Sequence, residues 1–187
     1  MHARVQPSLY DQLEALPDGL IGEILDGQLH TQPRPTGPHA YAASMLGADL
    51  AQPFDKGRGG PGGWWIIDEP ELHFLVDVEV DVPDIAGWRR GRMPHLPAGH
   101  RFTVVPDWVC EVLSASTESK DREIKMPIYA RFGVAHAWLV DPRKLSLETY
   151  DLVGGAWQET GRYSGADTVR AAPFDAIGLA LDDLWAQ

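Results

Sequence analysis

Glu111 stands inside the apolar run Trp108-Val109-Cys110-Glu111-Val112-Leu113. An ionised carboxylate in an apolar interior is unfavourable by several kcal/mol unless a metal, a cation or hydrogen-bond donors compensate it. Two other acids could share its site, Asp84 and Asp107. Asp107 lies on the same strand face as Glu111, four residues away, so at a rise of ~3.3 Å per residue the two backbones are about 13 Å apart. Two ligands of one Mg²⁺ each sit about 2.0–2.1 Å from the ion, so that pair alone cannot share it. The partner of Glu111 must come from another strand. Asp84 qualifies if the alternation of Val76, Val78, Val80 and Val82 continues through Pro83; if the strand ends at Pro83, Asp84 sits in a turn. Both readings fit the pattern.

A cation should accompany buried acids. Lys125 follows Glu111 on the next helical segment, and Asp121, Lys125 and Tyr129 recur at i, i+4 on one face. Lys125 could reach back over the strand end, or form a solvated pair with Asp121 worth a few tenths of a kcal/mol. Pro127 removes a helical donor and should kink or shorten that helix.

These groups need a scaffold. Residues 8–16 read as a short helix with Ser8 as N-cap. Asp26-Gly27 marks a hairpin turn within GLIGEILDGQLHTQ. Ala42, Leu46 and Leu50 have helical spacing up to Pro53, and the glycine-rich DKGRGGPGG reads as a loop. WWIIDEP and LHFLVDVEVDVPD read as two strands around a turn at Glu69-Pro70; in the second, Asp77, Glu79 and Asp81 should form a solvated face. Residues 104–113 lack polar alternation and fit a central strand covered on both faces. A helix over 117–132 ending at Gly133, a strand at HAWLVD, a hairpin and an amphipathic LALDDLW tail complete the pattern. Strands with intervening helices make an α/β or α+β mixed sheet.

With 187 residues, 44% of them hydrophobic, the chain suits one domain with a real core. No apolar run is long enough to span a membrane, and the first residues lack the apolar region of a secretory signal. Cys110 is the only cysteine, which suits a reducing cytoplasm. The net charge of −11 repels phosphate at long range. Between Asp84 and Asp107, however, no acid occurs, while Arg89, Arg90, Arg92 and Arg101 do. This stretch is either a solvated loop or a local basic patch. The seven histidines show no metal-ligand spacing, GGPGG lacks the Lys-Ser/Thr of a P-loop, and Ser114 and Ser116 lack His-acid partners.

The ordered set VPDIAGWRR, VVPDWVCEVLSAST and DREIKMPIYARFGVAHAWLVDP resembles the Uma-type family of restriction-endonuclease-like proteins, within the PD-(D/E)XK nuclease superfamily. GEILDGQL and PHAYAASMLGADL resemble its N-terminal half, so the likeness spans roughly residues 20–150. It implies a mixed sheet flanked by helices and Mg²⁺-dependent (or Mn²⁺-dependent) hydrolysis of DNA by a homodimer. Asp84 then corresponds to the first signature acid and Glu111 to the second. Leu113 stands where the signature lysine belongs, and Lys125 matches the place to which the family's lysine has moved. Glu23 resembles the additional acid of an E-x-x-x-G pattern.

The resemblance further implies that Asp84, Glu111 and the Val112 carbonyl hold the ion and that Lys125 orients a water or steadies phosphoryl charge. Arg89, Arg90, Arg92 and Arg101 would meet the nucleic-acid backbone. Asp107, Asp121, Tyr129 and His39 are candidate supporting residues, His39 as a helix cap or packing group. The alternative is a catalytically silent binding or regulatory module on the same scaffold. A net charge of −11 suits that alternative well.

Overall fold

The structure is a computed structural model and describes residues 6–186. Helix α1 (Leu9–Glu14) starts from a capping box: Asp11 N–H donates to Ser8 Oγ, and Ser8 N–H donates to the Asp11 carboxylate. Strands β1 (Leu20–Leu25) and β2 (Gln28–Pro33) close over Asp26 and Gly27, both at positive φ, as a two-residue hairpin turn requires. Helix α2 (Gly37–Leu50) runs on through a π-turn, Ala51–Asp55, that accommodates Pro53. The expected end at Pro53 is therefore a widening, because an i→i+5 turn tolerates the lost donor.

Then come β3 (Trp64–Asp68), β4 (Glu71–Leu75), β5 (Glu79–Asp81), β6 (Ile85–Arg89), β7 (Arg101–Phe102) and β8 (Trp108–Val112). The helical segment after β8 is α3 (Glu118–Lys120), a π-turn (Asp121–Lys125) and α4 (Met126–Phe132), ended by Gly133 at φ 79°. Pro127 lies in the first turn of α4, where its missing N–H is harmless. Strands β9 (His136–Asp141), β10 (Ser146–Val153) and β11 (Ala156–Ser164) follow, then the short pair β12 (Thr168–Val169) and β13 (Leu179–Ala180) and a 3₁₀ turn, Leu181–Leu184.

One sheet has the order β2-β1-β5-β4-β7 and a second β11-β10-β9-β8-β6-β3. As its sequence predicts, β8 is central: antiparallel to β6, parallel to β9, with all five residues buried. Trp108, Cys110 and Val112 face a core containing Leu46, Leu50 and Phe54. Val109 and Leu113 face another, with Trp88, Met126 and Tyr129. Glu111 alternates with the second set, so it points toward the helical segment after β8. Buried tryptophans fill the interior of this chain and give no argument for an interface. Among the described residues, no helix is long and apolar enough to cross a membrane.

The expected single strand through LHFLVDVEVDV is two strands. The chain turns at Val76–Val78, with Asp77 at φ 60° and Val78 N–H donating to Leu75 O, and β5 returns antiparallel to β4. Val76 and Val78 are 57% and 58% exposed, whereas Glu79, Val80 and Asp81 are all buried, so β5 is covered on both faces and the expected solvated acidic face does not exist there. Alternation with period two is blind to a turn lacking Gly and Pro, and aspartate tolerates the left-handed backbone such a turn needs.

Candidate active site

Lys125 is 1% exposed, so the solvated Asp121–Lys125 pair is ruled out. Its ammonium lies 2.8 Å from Glu23 Oε1, 3.0 Å from Asp81 Oδ1 and 2.9 Å from Glu111 Oε1, and donates to Val82 O at 3.1 Å. The π-turn puts it there, between β1, β5 and β8. Burial disfavours its charge, but Asp81, Glu111 and Glu23 outweigh burial and hold its pKa well above the ordinary value. The three carboxylates thus favour the charged ammonium.

The acids respond differently. Burial would raise Glu23, yet Lys125 and Lys120 bring it down to about 2. Lys120 contacts Glu23 and also donates to Gln32 Oε1. Burial pushes Asp81 up to about 7 and Glu111 well above its ordinary value, against the pull of Lys125. The Tyr129 hydroxyl touches both Asp81 Oδ1 and Glu111 Oε1. A phenol has one proton to donate, so a proton on one of the two carboxyls completes the second contact.

Asp84 approaches from β6. The pairing Ile85↔Cys110, continued by one residue, sets Asp84 opposite Glu111. Val112 enters through its N–H, which donates to Asp84 Oδ2 at 2.7 Å; the carbonyl was the group expected. His39, in the first turn of α2, places Nε2 3.4 Å from the same oxygen. Burial works against a charge on His39, but Asp84 outweighs it and raises its pKa. Asp84 Oδ1 and Glu111 Oε2 thus make no hydrogen bond among the described residues. Asp84 opens into a cleft of about 80 Å³, lined also by Gln32, Thr36, His39, Ser116 and Thr117.

Asp81 is the residue that the sequence reading missed, having been assigned to a solvated face. Asp121 is buried beside the cluster, its carboxyl raised by burial. Asp107 is elsewhere: it accepts from Arg89 N–H and Arg92 Nη1 and anchors the loop after β6. The arginines are also occupied. Arg90 pairs with Asp55, Arg92 with Asp107 and Arg101 with Asp77, while Arg89 stacks over Trp64. Arg89 closes β6 five residues from Asp84, about 16 Å along the strand. An acid-free stretch of sequence is thus neutralised by acids from other segments.

Among the described residues, Glu23, Asp81, Asp84, Glu111 and Asp121 are met by Lys120, Lys125 and His39. Asp81 Oδ2 is buried without a partner. This set has room for positive charge, and its hard oxygen donors suit Mg²⁺, which needs one or two carboxylates and keeps its waters. Among the described residues, no three His, Cys, Asp or Glu side chains form a ready metal cluster.

The sequence profile of the Uma2 family, described as "Putative restriction endonuclease", matches residues 7–182. The chain belongs to this family. No curated protein matches it. A solved structure described as a putative nuclease belonging to DUF820, from Anabaena variabilis ATCC 29413, aligns with a TM-score of 0.75 and 22% identity. The alignment covers 96% of this chain and 98% of that one, and it establishes a shared mixed α/β fold.

The Uma2 cluster has a pH signature. Asp81 rises from 3.8 to about 7 on folding, so the folded state keeps a proton that the unfolded chain releases. Its contribution is fully present below the unfolded value and is lost as pH climbs to about 7. Glu23, held at about 2, acts oppositely: its contribution is lost as pH falls from 4.5 through about 2. Urea midpoints of Asp81→Asn should therefore fall less between pH 4 and 7 than those of the wild type; an unchanged slope would place the proton elsewhere.

Proposed function

We propose that this chain hydrolyses phosphodiester bonds of DNA with Mg²⁺ or Mn²⁺ at Asp84 and Glu111. The observation that carries the reading is Asp84, one residue before β6, accepting from the N–H of Val112 at 2.7 Å beside Glu111, with Lys125 2.9 Å from Glu111. The family description supports the same substrate class.

Asp84 and Glu111 would hold the ion, which when bound supplies Lewis-acid polarisation of a phosphate oxygen and a more acidic water. Val112 N–H and His39 fix Asp84 by one oxygen and leave the other for a ligand. Lys125 holds the Glu111 carboxylate in place and, with Tyr129, keeps its orientation. Its charge also favours added negative charge on a phosphoryl group in the cleft. Glu23 and Asp81 clasp Lys125 from the other side and so act as positioning residues.

The test is cleavage of plasmid and short oligonucleotides in Mg²⁺ or Mn²⁺, against EDTA. Cleavage should need the ion and vanish in Asp84→Asn. Cleavage that persists in EDTA, or in Asp84→Asn at the wild-type rate, would remove the assignment. The second reading, a silent binding module, draws on the acids that already clasp Lys125; oligonucleotide binding without cleavage in any divalent ion would favour it.

A further inference from the structure

The Lys125 ammonium has three protons and four acceptors around it: Glu23, Asp81, Glu111 and the Val82 carbonyl. At 1% exposure it does not reach a substrate. Its charge acts across the cleft, but the cation that touches a phosphate there must be another. Lys120 is spent on Glu23 and Gln32 and does not line the cleft. Arg34 does line it, from the connection between β2 and α2, together with Thr36, His39, Asp84, Ser116 and Thr117. It is the only lysine or arginine there. Arg34 is exposed, and among the described residues no carboxylate lies within ion-pair distance of it, unlike Arg90, Arg92 and Arg101. Its neighbour is unspent too: Thr36 is the N-cap of α2, yet its hydroxyl makes no cap bond. A guanidinium offers five N–H donors in a planar fork that fits two phosphate oxygens at once.

We infer that Arg34 grips the substrate phosphate in the Asp84 cleft, its guanidinium donating to the non-bridging oxygens with the Thr36 hydroxyl beside it. This rests on the phosphodiester reading above and adds the residue that touches the anion. Two cationic tasks are thereby divided: Lys125 secures Glu111 inside the protein, and Arg34 takes the substrate at its surface. Glu69 and Asp84 line the same cleft, so a phosphate needs this positive charge to approach them. One arginine neutralises one phosphate. Its loss should make the slope of log K against log salt shallower by about 0.9 on a duplex and about 0.7 on a single strand. Phosphate contacts carry no base information, so the loss should be alike for any sequence.

Fluorescence anisotropy of a labelled DNA duplex and of its single strand, in Ca²⁺ over a salt series, tests this without requiring cleavage. Circular dichroism checks the fold of each variant. Arg34→Gln, at an exposed position, should weaken binding at least about tenfold, equivalent to about 1.4 kcal/mol, and equally on two unrelated sequences. Its salt slope should be shallower by the amounts above, whereas Arg34→Lys should keep the wild-type slope. Arg92→Gln and Arg101→Gln, whose guanidiniums are paired with Asp107 and Asp77, should stay within about twofold. Arg34→Gln binding within about twofold of the wild type, an unchanged slope, or a loss confined to the Arg92 and Arg101 variants would overturn the assignment. A wild type that binds neither DNA would instead overturn the phosphodiester reading, and the assignment with it.

Discussion

Glu111→Gln should reduce metal-dependent cleavage by at least about 10³-fold and leave the fold intact. Glutamine keeps the volume and one oxygen for Tyr129 and Lys125, so the packing around β8 has no reason to change. The charge is lost. Burial already pushes the Glu111 carboxyl well above its ordinary pKa, which means the folded protein holds the ionised form at a cost. Removing that charge should leave thermal stability equal or higher, as is usual where a functional site keeps an unfavourable acid. Circular dichroism melts beside cleavage rates check both halves. A Glu111→Gln protein that unfolds would make Glu111 structural; one that cleaves normally would move the ion's ligand.

Lys125→Met should have the largest effect on stability. The ammonium is the common partner of Glu23, Asp81 and Glu111, all buried, and without it those charges lose their compensation. Removing one member of a buried ionic group costs about 3–5 kcal/mol. The loss should be greatest near neutral pH and smaller near pH 5, where the orphaned carboxyls take up protons and so shed their charge. Urea unfolding at the two pH values measures this. A loss below about 1 kcal/mol at pH 7 would mean that solvent reaches the cluster and the lysine is a surface group after all. Cleavage by this variant is informative only under conditions where it remains folded.

Much of this site was legible in the chain. Glu111 stood out because an acid in a buried strand needs a partner, and the roughly 13 Å between the Asp107 and Glu111 backbones required that partner to come from another strand. Lys125 and Tyr129 were placed on one face by their spacing, and Glu23 by family likeness. The central position of β8 and the hairpin at Asp26-Gly27 followed from composition and turn chemistry. What escaped depended on contacts distant in sequence. Asp81 was assigned to solvent because valine and acid alternate across a turn that carries no Gly or Pro. The arginines looked unpaired because their partners Asp55 and Asp77 lie outside the stretch that contains them, and Asp107 just beyond its end. Lys120 gave no signal at all, since its role comes from the hairpin laid beside α3.

The central claim is that Asp84 and Glu111 together hold a divalent ion. Anomalous diffraction from crystals soaked in Mn²⁺ tests it most directly. The account predicts one peak between the two strands, with an oxygen from each of Asp84 and Glu111 as ligand at roughly 2.0–2.2 Å, as for a small octahedral cation. A difference map with no such peak, and Glu111 still held by Lys125 and Tyr129 at saturating Mn²⁺, would contradict it.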